Sequence, residues 1–163
     1  MPYNILSCAD KAIAAYIAAA NNPSASFVYP GKNATDKELP CIVCYAQSGQ
    51  MMEPAHSLIY VVDMAIMVKT SCDVDLNIPP TTIKEESELR VRHVFDLFHS
   101  SVNSGHALAD DITQAAQSSG DFDLGDFVIQ SVEVKNQDAG FEPKTDAWVD
   151  TLNLELICSV GRQ

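Results

Sequence analysis

Basic residues are scarce in this sequence. It carries 10 lysines and arginines against 22 aspartates and glutamates, which gives a formal net charge of -12 at pH 7. A chain with this balance repels a phosphate backbone on average, and the sequence has no local basic patch that would offset the repulsion. We therefore do not expect sequence-specific binding to nucleic acid.

Long hydrophobic runs are also lacking. No stretch approaches the roughly 18 apolar residues of a membrane-spanning helix. The alanine-rich run at residues 12–20 has neither the basic flank nor the hydrophobicity of a signal peptide. Membrane insertion and secretion are not expected. The five cysteines are an odd count, which suits reduced thiols of a protein made in a cytoplasm.

Catalytic and cofactor signatures are missing too. The sequence contains no GxSxG, no phosphate-binding glycine loop and no dinucleotide fingerprint. The histidines form no HExxH or other chelating pattern, and we expect them on the surface or in packing positions. These histidines are His56, His93, His99 and His106. We predict no catalytic residue, no metal site and no cofactor.

A CxxC motif is formed by Cys41 and Cys44. The same spacing occurs in zinc ribbons and redox dithiols, so the motif alone is a moderate signal. Here it lies within a predicted strand, in which residues i and i+3 point to opposite faces, and no second pair of ligands follows. We therefore interpret both cysteines as small buried hydrophobic residues.

Two carboxylate clusters offer oxygen ligands of the kind that divalent cations prefer. One is Asp110 and Asp111; the other is Asp121, Asp123 and Asp126. The second cluster, DFDLGD, lacks the full ligand series and the closing glutamate of a calcium loop. Solvated acidic turns are the favoured interpretation.

The strongest strand signal lies at residues 145–159, TDAWVDTLNLELICS. Leu152, Leu154 and Leu156 fall on one face there, at the two-residue period of a strand. Residues 58–70 carry aliphatic side chains on both faces, which predicts a central strand that is at least partly covered on each side. We expect these two runs to form the spine of one sheet.

The remaining elements follow from helical spacing and from breaker residues. Helices are predicted at 4–20, 89–102 and 106–117, with Ser87 as a cap and Gly105 as a break or bend. Strands are predicted at 27–29, 41–46 and 126–134, with loops at 47–56, 73–87 and 135–144 and an irregular stretch over most of 23–40. This order predicts one α+β domain over residues 1–163. Its mixed, largely antiparallel sheet would carry an N-terminal helix and a central helix pair.

Four segments of the second half follow one another in a recognisable order: RVRHVFDLFHSSV, ALADDITQAA, FVIQSVEV and DAWVDTLNLELIC. A helical region leads to a strand, a loop, and a final strand with an aspartate and an aromatic residue near its start. This pattern resembles the tail terminator and tail completion (neck) proteins of long-tailed bacteriophages. The resemblance covers about the last 75 residues and rests on pattern and order.

The resemblance implies a structural virion protein without catalytic activity. Such a subunit forms a six-fold ring on the tail tube, ends tail polymerisation and joins the tail to the head. Its partners would be its own copies, the tail tube protein and a head completion or connector protein, in a virion neck made in the host cytoplasm. Genomic DNA would pass an acidic lumen without specific binding, because like charges repel. No membrane is involved.

Contacts between subunits are expected in the loops at 47–56, 73–87 and 135–146, since loops on a rigid sheet commonly carry contacts. Arg90 and Arg92 would meet acidic residues of a neighbour, or else they are ordinary charges on a helix surface. The candidate interface residues are Arg90, Arg92, Glu85, Glu86, Asp138 and Asp146.

Other functions stay open. Because the stretch 73–87 departs from the family pattern, another neck or connector protein is one alternative. An enzyme would show a deep cleft near residues 121–126 beside a histidine. A ligand- or protein-binding module of a bacterial cell would show one exposed apolar patch.

Overall fold

Helices and strands occur in groups along the chain. The computed structural model describes residues 5–19, 27–31, 41–51, 59–71, 80–99, 105–120, 124–142 and 147–160. The elements in these ranges are α1 (Ile5–Ala19), β1 (Phe27–Pro30), β2 (Cys41–Met51), β3 (Ile59–Ser71), α2 (Pro80–His99), α3 (Gly105–Ser118), β4 (Phe127–Glu142) and β5 (Ala147–Val160). The predicted α+β class is confirmed.

The five strands form one sheet in the order β1-β2-β3-β5-β4. β1 pairs with β2 in parallel, and the other three pairs are antiparallel. β3 lies in the middle and pairs with β5 along its whole length, from Ile59 opposite Ser159 to Ser71 opposite Ala147. The two runs that we predicted to be the spine of the sheet are therefore neighbours at its centre.

All three described helices bury their apolar sides against the same face of the sheet, here called the helix-covered face. Burial of each large aliphatic side chain there contributes about 1.5–3 kcal/mol to folding, so this layer holds the domain together. Its fully buried side chains include Ile13, Ile17, Ile42, Met64, Ile66, Ile112, Leu152, Leu154 and Leu156.

Close contacts near both ends of α1 fix it in this layer. A Cβ atom on Gly49 would lie 2.9 Å from Leu6 Cδ2, so the missing side chain lets the first turn of α1 pack over β2. At the other end of α1, the Tyr16 hydroxyl donates a 2.9 Å hydrogen bond to the Leu97 carbonyl of α2. The ring of Tyr16 also meets Phe98 edge to face, with 5.5 Å between centroids.

Two strands run further than predicted. β2 continues to Met51, so the predicted loop at 47–56 is wrong for residues 47–51; a bulge between Ala46 and Ser48 lets the ladder with β3 continue. β4 continues to Glu142, so the predicted connector at 135–144 is wrong for residues 135–142. Residues 52–58 and 143–146 lie outside the described residues.

The helix pair also differs from the prediction at its start. α2 begins at Pro80, so residues 80–87 are helical rather than extended, and Ser87 lies inside the helix instead of capping it. Proline suits the first position of a helix, where its missing N–H leaves no hydrogen bond unmade. α3 begins at Gly105. Residues 20–26, 32–40, 72–79 and 100–104 lie outside the described set.

None of the described helices is long and apolar enough to cross a membrane.

Candidate functional site: the helix-free sheet face

The second face of the sheet has no described helix packed on it, and we call it the helix-free face. Near one end, Cys41 and Val43 are buried there with Tyr29, Tyr45 and Met67 packed around them. Towards β4 the face becomes polar. Its members in the central and β4 strands include Asp63, Ala65, Met67, Thr151, Asn153, Glu155, Ser131, Glu133, Asn136 and Asp138.

A row of carboxylates crosses this face. Asp63 on β3 is directly opposite Glu155 on β5, and Glu155 is directly opposite Glu133 on β4. Ser48 on β2 ends the row and donates a 3.1 Å hydrogen bond to Asp63 Oδ2. Like charges placed directly opposite each other in a sheet repel, so this row lowers stability and gives the face a negative potential.

One lysine partly neutralises the negative charge of this row of carboxylates. Lys135 Nζ lies 3.5 Å from Glu133 Oε2 and 3.7 Å from Glu155 Oε2. The Glu133 carboxylate, followed by that of Glu155, raises the pKa of Lys135. Beside the row, Asn153 Nδ2 donates a 2.6 Å hydrogen bond to Asn136 Oδ1. The face is thus ordered by polar contacts and stays acidic in sum.

The outer part of β4 is exposed on both faces of the sheet. Every residue from 135 to 140 is exposed, including those that pair with the buried Leu152 and the half-buried Thr151 of β5. The described chain places no strand on the outer side of β4. This segment is therefore a candidate surface for contact with another molecule.

Asp10 is a half-buried carboxylate on α1. It accepts a hydrogen bond from the Ala46 N–H of β2. Burial raises the pKa of Asp10 to about 6, and the hydrogen bond from Ala46 opposes that rise. The charge of this carboxylate acts on the buried thiol of Cys44, and its hydrogen bond joins α1 to the backbone of β2. We therefore assign Asp10 a structural role.

The four cysteines in the described part of the chain are buried thiols, as predicted: Cys8, Cys41, Cys44 and Cys158. Cys72 lies outside the described residues. Cys41 belongs to the helix-free side and Cys44 to the core on the helix-covered side, so the two point to opposite faces. Burial, followed by the charge of Asp10, raises the pKa of Cys44. Burial raises the pKa of Cys158 to about 12, and Cys8 adds to the rise. Such thiols stay protonated at neutral pH and make poor nucleophiles and metal ligands.

The predicted interface residues separate into two places. Four of them lie on α2, which includes the part of the predicted loop that holds Glu85 and Glu86; the other two are Arg90 and Arg92. Glu85 and Arg92 are exposed. The side chains of Glu86 and Arg90 are outside the described set. Asp138 is exposed on the helix-free face at β4, in a strand and not in the predicted loop. Asp146 lies outside the described residues.

The acidic clusters from the sequence do not assemble into a metal site in the described part of the chain, where no group of three potential ligand side chains converges. Asp110 and Asp111 are exposed on α3, and Asp126 is exposed before β4. Asp121, Asp123, His56 and the side chains of His93, His99 and His106 lie outside the described set.

A shallow depression of ≈ 240 Å³ lies between α1 and α3. Tyr16, Asp111 and Gln114 line it together with small residues. Burial, followed by the nearby Asp111 carboxylate, raises the pKa of Tyr16, whose hydroxyl is already bonded to the Leu97 carbonyl. An acid that is held in its protonated form and bonded to backbone does not act as a general base.

Sequence reasoning missed the acidic row and the exposed segment of β4. The signal for the row was present, because Glu133 and Glu155 occupy the polar positions of two predicted strands. The register that brings them opposite each other and beside Asp63 is a tertiary property.

The comparison with known proteins gives no family: no family model and no curated protein matches this sequence.

Proposed function

We propose that this chain is the ring-forming subunit of a phage tail terminator, which closes the end of a tail tube and joins the tail to the head. The observation that carries the proposal is the one-sided build of the domain. The described helices all lie on one face of the sheet, and none of them packs on the other face, whose part towards β4 is acidic.

This build suits a ring that surrounds DNA. If the helix-free face lines the lumen, then Asp63, Glu133, Glu155 and Asp138 face the passing duplex and repel its phosphates. The helices then form the outside of the ring. Repulsion without specific contact is what a channel for genomic DNA needs, because DNA that adheres to the wall would not pass.

The order of elements over the second half of the chain also supports the proposal. α2, α3, β4 and β5 follow one another over the segment that resembles the tail terminator family. In the described residues, the surface features are an acidic sheet face, an exposed strand and a shallow depression. A broad surface of this kind suits assembly better than it suits the turnover of a small substrate.

Negative-stain electron microscopy of the purified protein tests the proposal, with and without divalent cation. We expect closed rings with a central hole, and we expect the same rings at the tips of tubes when tail tube protein is added, with shorter tubes as more ring protein is present. A compact dimer without a hole, in both conditions, would contradict the ring.

A further inference from the structure

We infer that neighbouring subunits join by pairing the outer part of β4 of one copy with the open edge of β2 of the next copy, head to tail. This inference rests on the proposed ring and specifies its interface. The two segments are residues 136–142 of β4 and residues 48–51 of β2.

β4 is protected along its first half and open along its second. In the first half, the chain bulges between Ile129 and Ser131 and again between Val134 and Asn136. Thr113 of α3 accepts a 2.9 Å hydrogen bond from the Ile129 N–H, and Lys135 stands at the second bulge. Bulges, lysines and covering helices are the means by which proteins block unwanted pairing at a sheet edge.

In the part of the chain that the structure describes, residues 136–142 have none of these protections. They pair with β5 in unbroken register, from Asn136 opposite Asn153 to Glu142 opposite Ala147. They contain no lysine and no bulge, and residues 136–140 are exposed on both faces. A regular, exposed edge of this length is a template for another strand.

The matching edge belongs to β2. β1 pairs with β2 only from Cys41 to Cys44, and the Gly31 N–H then donates a 2.8 Å hydrogen bond to the Cys44 carbonyl. Beyond that point the described chain places no strand beside β2, whose residues 47–51 are all exposed. After the bulge at Gln47, residues 48–51 pair with β3 in regular register.

Direction and charge fit this partner. β2 and β4 are antiparallel within one sheet of this topology, so a second copy placed edge to edge presents its β2 antiparallel to β4. The β2 segment carries no charge, so Asp138 and Glu142 meet no like charge there. Both copies then turn the helix-free face to the same side, which makes the acidic lining continuous around the ring.

The two open segments lie at opposite ends of the sheet. Following the pairing across the sheet, Gly140 in the open segment of β4 is in the same row as Cys41, where β1 occupies the edge of β2. Met51 in the open segment of β2 is in the same row as Ile129, in the protected half of β4. Each copy must therefore be shifted along its strands relative to its neighbour. A closed sheet accommodates such a shift by tilting its strands against the axis, as barrels do.

Disulfide cross-linking tests this interface. In a Cys72→Ser background, one variant carries Ser48→Cys with Asp138→Cys and another carries Gln50→Cys with Asp138→Cys. These positions point to the helix-free face, and opposite residues in paired strands lie close enough for a disulfide. The matched control is Ser48→Cys with Gln137→Cys, since Gln137 pairs with the buried Leu152 and points to the other face.

On mild oxidation we expect at least one of the two test variants to give a ladder of covalent dimers, trimers and larger species, at least about tenfold above the control. The remaining native cysteines are buried and do not contribute. Absence of the ladder in both test variants would overturn the interface. So would a covalent dimer from Asp138→Cys alone, because it would show β4 paired with β4.

Imaging of the unmodified protein keeps the two proposals apart. Rings without the ladder would overturn the interface and leave the ring in place. A ladder in a protein that forms only open chains would retain the interface and contradict the ring.

Discussion

The Asp10 carboxylate takes the place of a missing strand at Ala46. β1 ends at Pro30, and the Gly31 N–H makes the last bond of that edge, to the Cys44 carbonyl. The next outward-facing backbone donor on β2 is the Ala46 N–H, and it donates to Asp10. A side chain from α1 thus satisfies the edge at the point where the parallel strand stops.

This arrangement predicts a pH-dependent stability. The pKa of Asp10 is raised from its ordinary value of 3.8 to about 6 in the folded chain. The group therefore contributes its full stability below its unfolded pKa and loses it as the pH rises through about 6. We expect Asp10→Asn, which keeps an oxygen acceptor without the charge, to be more stable than the natural chain by about 1 kcal/mol at pH 8, since the site is only half-buried.

Urea unfolding of both chains at pH 8 and at about pH 3 checks this, because the difference between them should vanish below the unfolded pKa of Asp10. Asp10→Ala is the control: it removes the acceptor and should destabilise the chain at both pH values. An Asp10→Asn chain that is less stable than the natural chain at pH 8 would contradict our account of this carboxylate.

We predict that Lys135 stabilises the fold by reducing the repulsion among the carboxylates of the acidic row. Lys135→Ala leaves Asp63, Glu155 and Glu133 opposite one another without a cation, so the free energy of unfolding should fall at low salt. Because these side chains are exposed or, for Glu155, partly exposed, the loss should shrink in about 1 M salt, where the Debye length is about 3 Å. Adding Glu155→Gln to Lys135→Ala should recover part of the loss. Equal losses at both salt concentrations would refute an electrostatic role.

If the helix-free face lines the lumen of the proposed ring, linear and circular DNA should bind differently to a variant with a basic lining. A variant with lysine in place of Asp63, Glu133 and Glu155 would give the ring a basic lining. Gel-shift measurements should then show binding of linear duplex, which can thread the ring, and little binding of closed circular duplex, which cannot. The natural ring should bind neither.

The matched control places the same three added lysines on the helices, at Glu88, Asp96 and Asp110, which are exposed. Its net charge changes by the same amount, and any binding should be alike for linear and circular DNA because the outer surface needs no free end. If the variant with the altered sheet face also binds both forms alike, that face is not the lining.

The central strands could be predicted from the sequence because their burial pattern is local. Alternation of Leu152, Leu154 and Leu156 fixes one buried face of β5, and the aliphatic run of β3 fits a strand in the middle of a sheet. The ends of the outer strands could not be predicted. NQDAG in β4 has the composition of a turn, and it is extended because β5 pairs with it residue by residue.

The start of α2 was hidden for a similar reason. Pro79, Pro80 and the threonines after them suggest a turn, and the segment has few apolar residues to show a helical period. The proline at the first helical position was the usable signal. The candidate functional surface was less predictable than the fold, since its acidic row joins residues that are far apart in the chain.

The most direct test of the central claim is the mass of the assembled species, measured by light scattering over a wide range of protein concentration. Six copies of the 17.7 kDa chain give about 106 kDa, and we expect this mass to persist on dilution, because a closed ring is a finished assembly. A stable dimer of about 35 kDa, twice the mass of the chain, at every concentration would contradict the ring.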